Sequence, residues 1–173
     1  DLAARALTTS TDPAVRIQVV RDYLKTRLFE PLGMKSMVPE FDASGTLIGG
    51  SLIHGSARDW ARFGEFLRNR GAVQGAQLVP SAWIDFMTTP SPISPNYGGQ
   101  LWLNRAPKGG DVQWPGAPTS TFSMNGHLGQ YVIISRDNGV TVVRLGKTQD
   151  NLRRPVHEAL AKIITLFPKG STT

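Results

Sequence analysis

The segment Thr121-Phe-Ser-Met-Asn-Gly-His-Leu-Gly-Gln-Tyr-Val-Ile-Ile-Ser135, with Val140-Thr-Val-Val-Arg-Leu-Gly146 close behind it, constrains the fold more than any other part of this chain. β-Branched and aromatic residues cluster at both ends of the first piece and make up most of the second, and they favour extended backbone. Asn125-Gly126 and Gly129 interrupt the first piece, and Asp137-Asn138-Gly139 divides it from the second. The pattern predicts strand, polar elbow, strand, hairpin turn, strand. Strands joined so closely pair antiparallel. An elbow flanked by glycines lets backbone N–H groups, and here a histidine, come near a reacting carbonyl. The rest of the chain offers no obvious nucleophile to work with it.

The elements around this meander follow from local signals. Asp12-Pro13 starts a helix, with Asp as N-cap and Pro at the first helical position. Ile17, Val20, Leu24 and Leu28 continue it at helical spacing and Pro31 stops it; residues 1–9 read as the end of an earlier helix. Glycines and prolines punctuate residues 32–53, where short strands are expected at Glu40–Ala43 and Thr46–Ile48. Ser56-Ala-Arg-Asp59 is a variant capping box opening a helix with Trp60, Phe63, Gly64 and Leu67 on one face and Gly71 as its C′ residue. A short helix over Ser81–Thr88, a strand around Tyr97–Asn104 and a loop over Arg105–Pro118 carrying Trp114 precede the meander. A last helix starts at Pro155, faces inward through Val156, Leu160, Ile163 and Phe167, and stops at Pro168. The expectation is an α+β fold, an antiparallel sheet with helices packed on it, forming one domain over residues 1–173.

Composition excludes more than it assigns. The net charge of +6 would suit an acidic partner, but the basic residues are dispersed and Arg153-Arg154 is their only adjacent pair, so no nucleic-acid partner is expected. No apolar run approaches the roughly 20 residues that span a bilayer, so no membrane span is expected. Zero cysteines exclude disulfide and thiolate chemistry. The three histidines are too scattered for a metal site and no glycine-rich phosphate loop is present, so no metal and no cofactor are expected. Asp1-Leu-Ala-Ala-Arg-Ala lacks the basic start and apolar stretch of a leader, and the compartment stays open.

Three segments together carry a family resemblance: Tyr23-Leu-Lys-Thr-Arg-Leu-Phe-Glu-Pro-Leu-Gly-Met34, Gly49-Gly-Ser51 leading into Ser56-Ala-Arg-Asp-Trp-Ala-Arg-Phe-Gly64, and Gly126-His-Leu-Gly-Gln130 between strands. In this order they resemble serine hydrolases of the β-lactamase and penicillin-binding-protein fold, the branch with class C β-lactamases, family VIII esterases and 6-aminohexanoate-dimer hydrolases. The resemblance covers most of residues 15–165. It implies an acyl-enzyme mechanism in which a Ser-x-x-Lys serine attacks an ester or amide, a tyrosine motif relays protons, and a Lys-Thr-Gly or His-x-Gly motif lies on a strand. No serine here has a lysine three residues later; Tyr23, Tyr97 and Tyr131 lack the tyrosine motif, and Lys25-Thr26 and Lys147-Thr148 lack the glycine. In relatives the first two motifs lie upstream of the Pro-Leu-Gly-Met helix. The resemblance therefore implies the C-terminal half of such an enzyme, inactive alone. Its partners would be a small ester or amide substrate in the intact enzyme and the missing N-terminal half, or a second copy. The other reading is a non-catalytic binding module that keeps half of the fold.

The site expectations follow. His127 stands in the His-x-Gly position, Gly129 allows close approach, and the Gln130 backbone N–H is an oxyanion donor. A second register aligns Met124-Asn125-Gly126 with the motif, and Gly126 borders the substrate in either. Trp114 and Trp102 line a substrate pocket or pack in the core. His54 sits on a loop and reads as part of a turn, and His157 as a solvated surface residue.

Overall fold

The computed structural model describes residues 2–170. The chain divides after Arg62 into two compact units.

The first unit begins with helix α1 (Leu2–Leu7) and helix α2 (Pro13–Leu24). Asp12 caps α2 as the sequence implies, its carboxylate accepting the Ala14 N–H at 2.9 Å. α2 does not simply stop ahead of Pro31. It widens into a π-helical turn over Lys25–Phe29, and the N–H groups of Glu30 and Met34 reach the carbonyls of Lys25 and Phe29. This turn rotates Phe29 inward to join Val20, Leu32 and Met34 as buried residues. Strands β1 (Val38–Pro39) and β2 (Ile53–His54) pair antiparallel and flank the two expected strands, which are reduced to one bridge between Phe41 and Leu47. Asp42 explains the reduction: its carboxylate accepts N–H groups from Ser44 and Thr46 and closes a tight turn ending at Gly45, φ +76°.

Helix α3 (Ala57–Arg68) crosses the division. Ser56 caps it through the Asp59 N–H at 3.3 Å, but the expected reciprocal bond is absent. Asp59, 2% exposed, instead accepts the N–H and hydroxyl of Ser36 at 2.7 and 2.6 Å and the Arg62 guanidinium at 2.6 Å. Burial opposes the charge on Asp59, but the Ser36 and Arg62 bonds outweigh it and hold the carboxyl below the ordinary value.

In the second unit a hairpin of β3 (Ala72–Val73) and β4 (Ala76–Gln77) follows α3, then helix α4 (Ser81–Met87). The four-stranded antiparallel sheet has the order β5 (Trp102–Leu103), β6 (Phe122–Gly126), β7 (Gln130–Ser135), β8 (Val140–Arg144). The meander is therefore as the sequence implies, while the strand expected at 97–104 shortens to two residues. Register fixes the two faces. Ser123, Asn125, Tyr131, Ile133, Val142 and Arg144 share one face, and Met124, Val132, Thr141 and Val143 lie on the other. On the first face Tyr131 and Ile133 pack with Trp114 and with Leu160, Ala161 and Ile164 of helix α5 (Arg153–Thr165). α5 starts before Pro155, and its buried stripe runs through Leu160 and Ile164. Ile163 and Phe167, expected inside, are 40% and 44% exposed. Val156, Leu160 and Ile164 repeat at four-residue spacing, and position 163 falls just off that stripe. On the second face Gly64 of α3 lies so close that a Cβ there would meet Thr141 Cγ2 at 2.5 Å and Val132 Cγ1 at 3.0 Å.

Candidate functional site

The elbow between β6 and β7 is a turn of His127, Leu128 and Gly129 closed by the pairing of Gly126 with Gln130. The Gly129 N–H donates to the Gly126 carbonyl at 3.3 Å, so Gly129 and Gln130 both stand opposite Gly126, the arrangement of a glycine bulge. Leu128 (φ +57°) and Gly129 (φ +91°) are both in the left-handed region. At Gly129 the requirement for glycine is double: besides the positive φ, a Cβ would sit 2.7 Å from Thr148 Oγ1.

Side chains and backbone beyond β8 brace this turn. The Arg144 guanidinium donates to the carbonyls of Gly129 and Gly146, and to that of Lys147 at 3.3 Å. The Gln130 amide donates to the His127 and Gly146 carbonyls at 3.2 and 3.0 Å and accepts the Gly146 N–H at 2.7 Å. The Thr148 N–H donates to the Leu128 carbonyl at 2.8 Å. Every carbonyl from Gly126 to Gly129 is therefore engaged. The N–H groups of His127 and Leu128 meet no acceptor among the described residues. The His127 side chain is exposed.

The face of the sheet behind the elbow is tied to the 105–118 loop. Asn125 donates to Gln113 at 2.9 Å, Ser123 donates to Asn125 at 2.9 Å, and Trp114 Nε1 donates to Ser123 at 3.2 Å. Ser123 is fully buried, which keeps it from serving as a nucleophile. Trp114 is 0% exposed, with its ring edge-on to Tyr131 at 5.2 Å, so it packs in the core and lines no substrate pocket. His157 departs from the surface role expected of it. Its ring lies against Trp114 and Tyr131, and its Nε2 is 2.8 Å from the Tyr131 hydroxyl. Burial, then the Arg153 charge, pushes its pKa below the ordinary value, and burial pushes that of Tyr131 up.

Trp102, 39% exposed, stands edge-on to Tyr97 and lines a cavity of about 530 Å³ with Arg105, Gln113, Arg153 and His157. Gly126, His127, Gly129 and Gln130 do not line it. The fold thus gathers four of the six proposed site residues in one turn, sets Trp102 at a separate cavity and buries Trp114. In the first unit, His54 Nε2 lies 2.5 Å from Glu40 Oε1, an exposed pairing across the hairpin. No group of three or more His, Cys, Asp or Glu suited to a metal occurs among the described residues, and no helix there is long and apolar enough to cross a membrane.

Sequence reasoning passed over Arg144, Gln113 and Thr148. An arginine ending a β-branched strand just before Leu145-Gly146 was the available signal, but only the register shows that its guanidinium returns to the elbow.

No protein-family model matches the chain, and no curated protein sequence does. Solved structures do. A protein of Bacillus anthracis described as a 6-aminohexanoate-dimer hydrolase matches 92% of this chain with a TM-score of 0.64 and 17% identity. A β-lactamase of Mycobacterium bovis matches 88% with a TM-score of 0.62 and 17% identity. A penicillin-binding-protein homologue of Caulobacter crescentus matches 87% with a TM-score of 0.57 and 15% identity. The chain has the β-lactamase-like fold. It covers 45%, 60% and 55% of those three chains, about half the length of the structures it matches.

Proposed function

We propose that this chain is the C-terminal portion of a serine hydrolase that works through an acyl-enzyme on an ester or amide. The observation that carries the reading is the braced elbow at the end of β6, on a fold shared with hydrolase-type structures that run to about twice its length. In this reading the serine and its lysine base come from sequence outside these residues, and the elbow supplies an N–H to the oxyanion.

Two registers of the strand motif are available, and the course of β6 supports one. Met124-Asn125-Gly126 lie on the strand, whereas His127-Leu128-Gly129 lie in the turn. A motif that belongs on a strand then ends at Gly126, and the residue after it, His127, donates its backbone N–H. Met124 takes the place of the lysine or histidine of relatives, so the third motif brings no ionisable side chain. The His127 imidazole, exposed at the turn, borders the substrate. Gln130 contributes through its side chain to holding the turn. A fixed N–H in a dry site lowers the barrier by about 3 kcal/mol by stabilising the charge that develops on the carbonyl oxygen.

β8 has no strand on its outer edge among the described residues. An unpaired edge of five residues is a docking place for further strands. In this reading the missing N-terminal half fills it, and the isolated chain associates with itself in its place. The test is turnover of nitrocefin and p-nitrophenyl esters. The full protein is expected to hydrolyse at least one of them and the 173-residue chain none. Turnover by the isolated chain overturns the reading.

A further inference from the structure

We propose that Arg144 and Gln130 form a positioning brace that sets the direction of the elbow N–H groups and thereby governs the rate of acyl transfer. The inference rests on the hydrolase reading for its consequence in catalysis, and on the hydrogen bonds alone for its geometry.

No cis peptide bond occurs among the described residues, so each carbonyl and the N–H that follows it point in opposite directions. Fixing a carbonyl therefore aims the next N–H. The Gln130 amide holds the His127 carbonyl, which turns the Leu128 N–H to the other side. Arg144 holds the Gly129 carbonyl and so aims the Gln130 N–H away from itself. The His127 N–H, the donor of the hydrolase reading, is set one step further along: the Gly126 carbonyl that shares its peptide is gripped by the Gly129 N–H, and Gly129 is held by Thr148 on one side, through the Leu128 carbonyl, and by Arg144 on the other, through its own carbonyl. Both side chains also hold the Gly146 carbonyl, so one fixed point on the chain beyond β8 anchors the whole elbow.

Such bracing is needed here because the turn does not hold itself. Leu128 occupies a left-handed conformation that a leucine adopts at a cost. Among the described residues, the backbone bond that closes the turn outside the strand ladder is the long 3.3 Å contact of the Gly129 N–H with the Gly126 carbonyl. Arginine suits the task better than lysine. Its planar fork reaches the carbonyls of Gly129, Gly146 and Lys147 together, whereas an ammonium on a flexible stem would satisfy them in shifting combinations. The half-buried setting strengthens these bonds relative to exposed ones.

The test compares wild type, Arg144→Ala, Arg144→Lys and Gln130→Ala in the full protein. Turnover of a p-nitrophenyl ester is measured together with the amide resonances of residues 127–130. Misdirecting a donor by a fraction of an ångström is expected to lower kcat about 10- to 100-fold in Arg144→Ala with KM nearly unchanged. Arg144→Lys should recover only a minor part, and millimolar methylguanidinium should restore part of the activity of Arg144→Ala without raising that of wild type. A general loss of folding would lower the melting temperature and would not respond to methylguanidinium. The proposal is overturned if Arg144→Ala keeps kcat within about twofold, or if the resonances of His127, Leu128 and Gln130 are the same in Arg144→Ala as in wild type. If the wild-type protein turns over no ester or amide, the hydrolase reading fails. The brace is then decided by the resonances alone, which must shift or broaden in Arg144→Ala and in Gln130→Ala for it to stand.

Discussion

Asn104→Ala is expected to destabilise the second unit by about 2 kcal/mol, because one side chain holds the loop that supports the back of β6. Asn104 is 1% exposed. Its amide nitrogen lies 3.0, 3.1 and 3.2 Å from the carbonyls of Trp114, Ala117 and Pro118, and its Oδ1 accepts the Trp114 N–H at 2.9 Å. Alanine deletes all of these. The Ala117 and Pro118 carbonyls are only partly buried and regain water, so they contribute little. The Trp114 carbonyl keeps the Ala117 N–H at 3.2 Å, so the group left unsatisfied in a dry site is the Trp114 N–H, at about 1–3 kcal/mol. Asn104→Asp keeps the shape but turns a donor into an acceptor facing carbonyl oxygens. It should be worse than alanine at pH 7 and recover partly in acid, where protonation restores a donor. Urea unfolding followed by tryptophan fluorescence gives the midpoints at comparable slopes. A loss below about 1 kcal/mol in Asn104→Ala, or an Asn104→Asp variant as stable as wild type at pH 7, would refute the reasoning.

Other perturbations probe the remaining contacts. Asp59 is depressed in the folded state, so its contribution is complete above the ordinary carboxyl value of 3.8 and is lost as pH falls below it through the folded pKa. Acid unfolding should therefore be shallower in Asp59→Asn, which at pH 7 should lose about 3 kcal/mol; identical acid limbs would contradict this. His157 is also depressed, and it favours folding above its ordinary value of 6.5 and costs stability as pH falls through that value toward the folded pKa. The melting temperature of wild type should drop from pH 7 to 5 more than that of His157→Gln, and an equal drop would count against a half-buried neutral imidazole. Gly64→Ala should lose about 1–2 kcal/mol despite better helix propensity, because its Cβ meets Thr141 Cγ2. Adding Thr141→Ser removes that methyl while keeping the hydroxyl that bonds Glu65, and should restore stability; no recovery in the double variant would refute the clash.

What could be read from sequence were the elements whose signals lie within a few residues. The β6–β7–β8 meander, the Asp12 cap and the Ser56 cap all rest on local chemistry, and all stand in the structure. Three of the misses share a cause, which is a partner far along the chain. Asp59 turns to Ser36, 23 residues away, instead of closing its own capping box. His157 is half-buried where Tyr131, 26 residues earlier, presents a hydroxyl to it. Arg144 folds back over 15 residues to the Gly129 carbonyl, a bond that no spacing rule anticipates. For the candidate site, sequence marked the elbow and its glycines. The strand course of residues 124–126 came only with the register, and it is this that moves the proposed donor to His127.

In the proposed function this chain lends an oxyanion elbow to a nucleophile outside residues 1–173. Intact-mass measurement after treatment with a fluorophosphonate or a β-lactam, followed by peptide mapping, tests it most directly. The full protein should gain a single adduct on a serine outside these residues, and the isolated chain should gain none. An adduct on any serine of this chain, or a full protein that stays unmodified while hydrolysing substrate, would contradict the account.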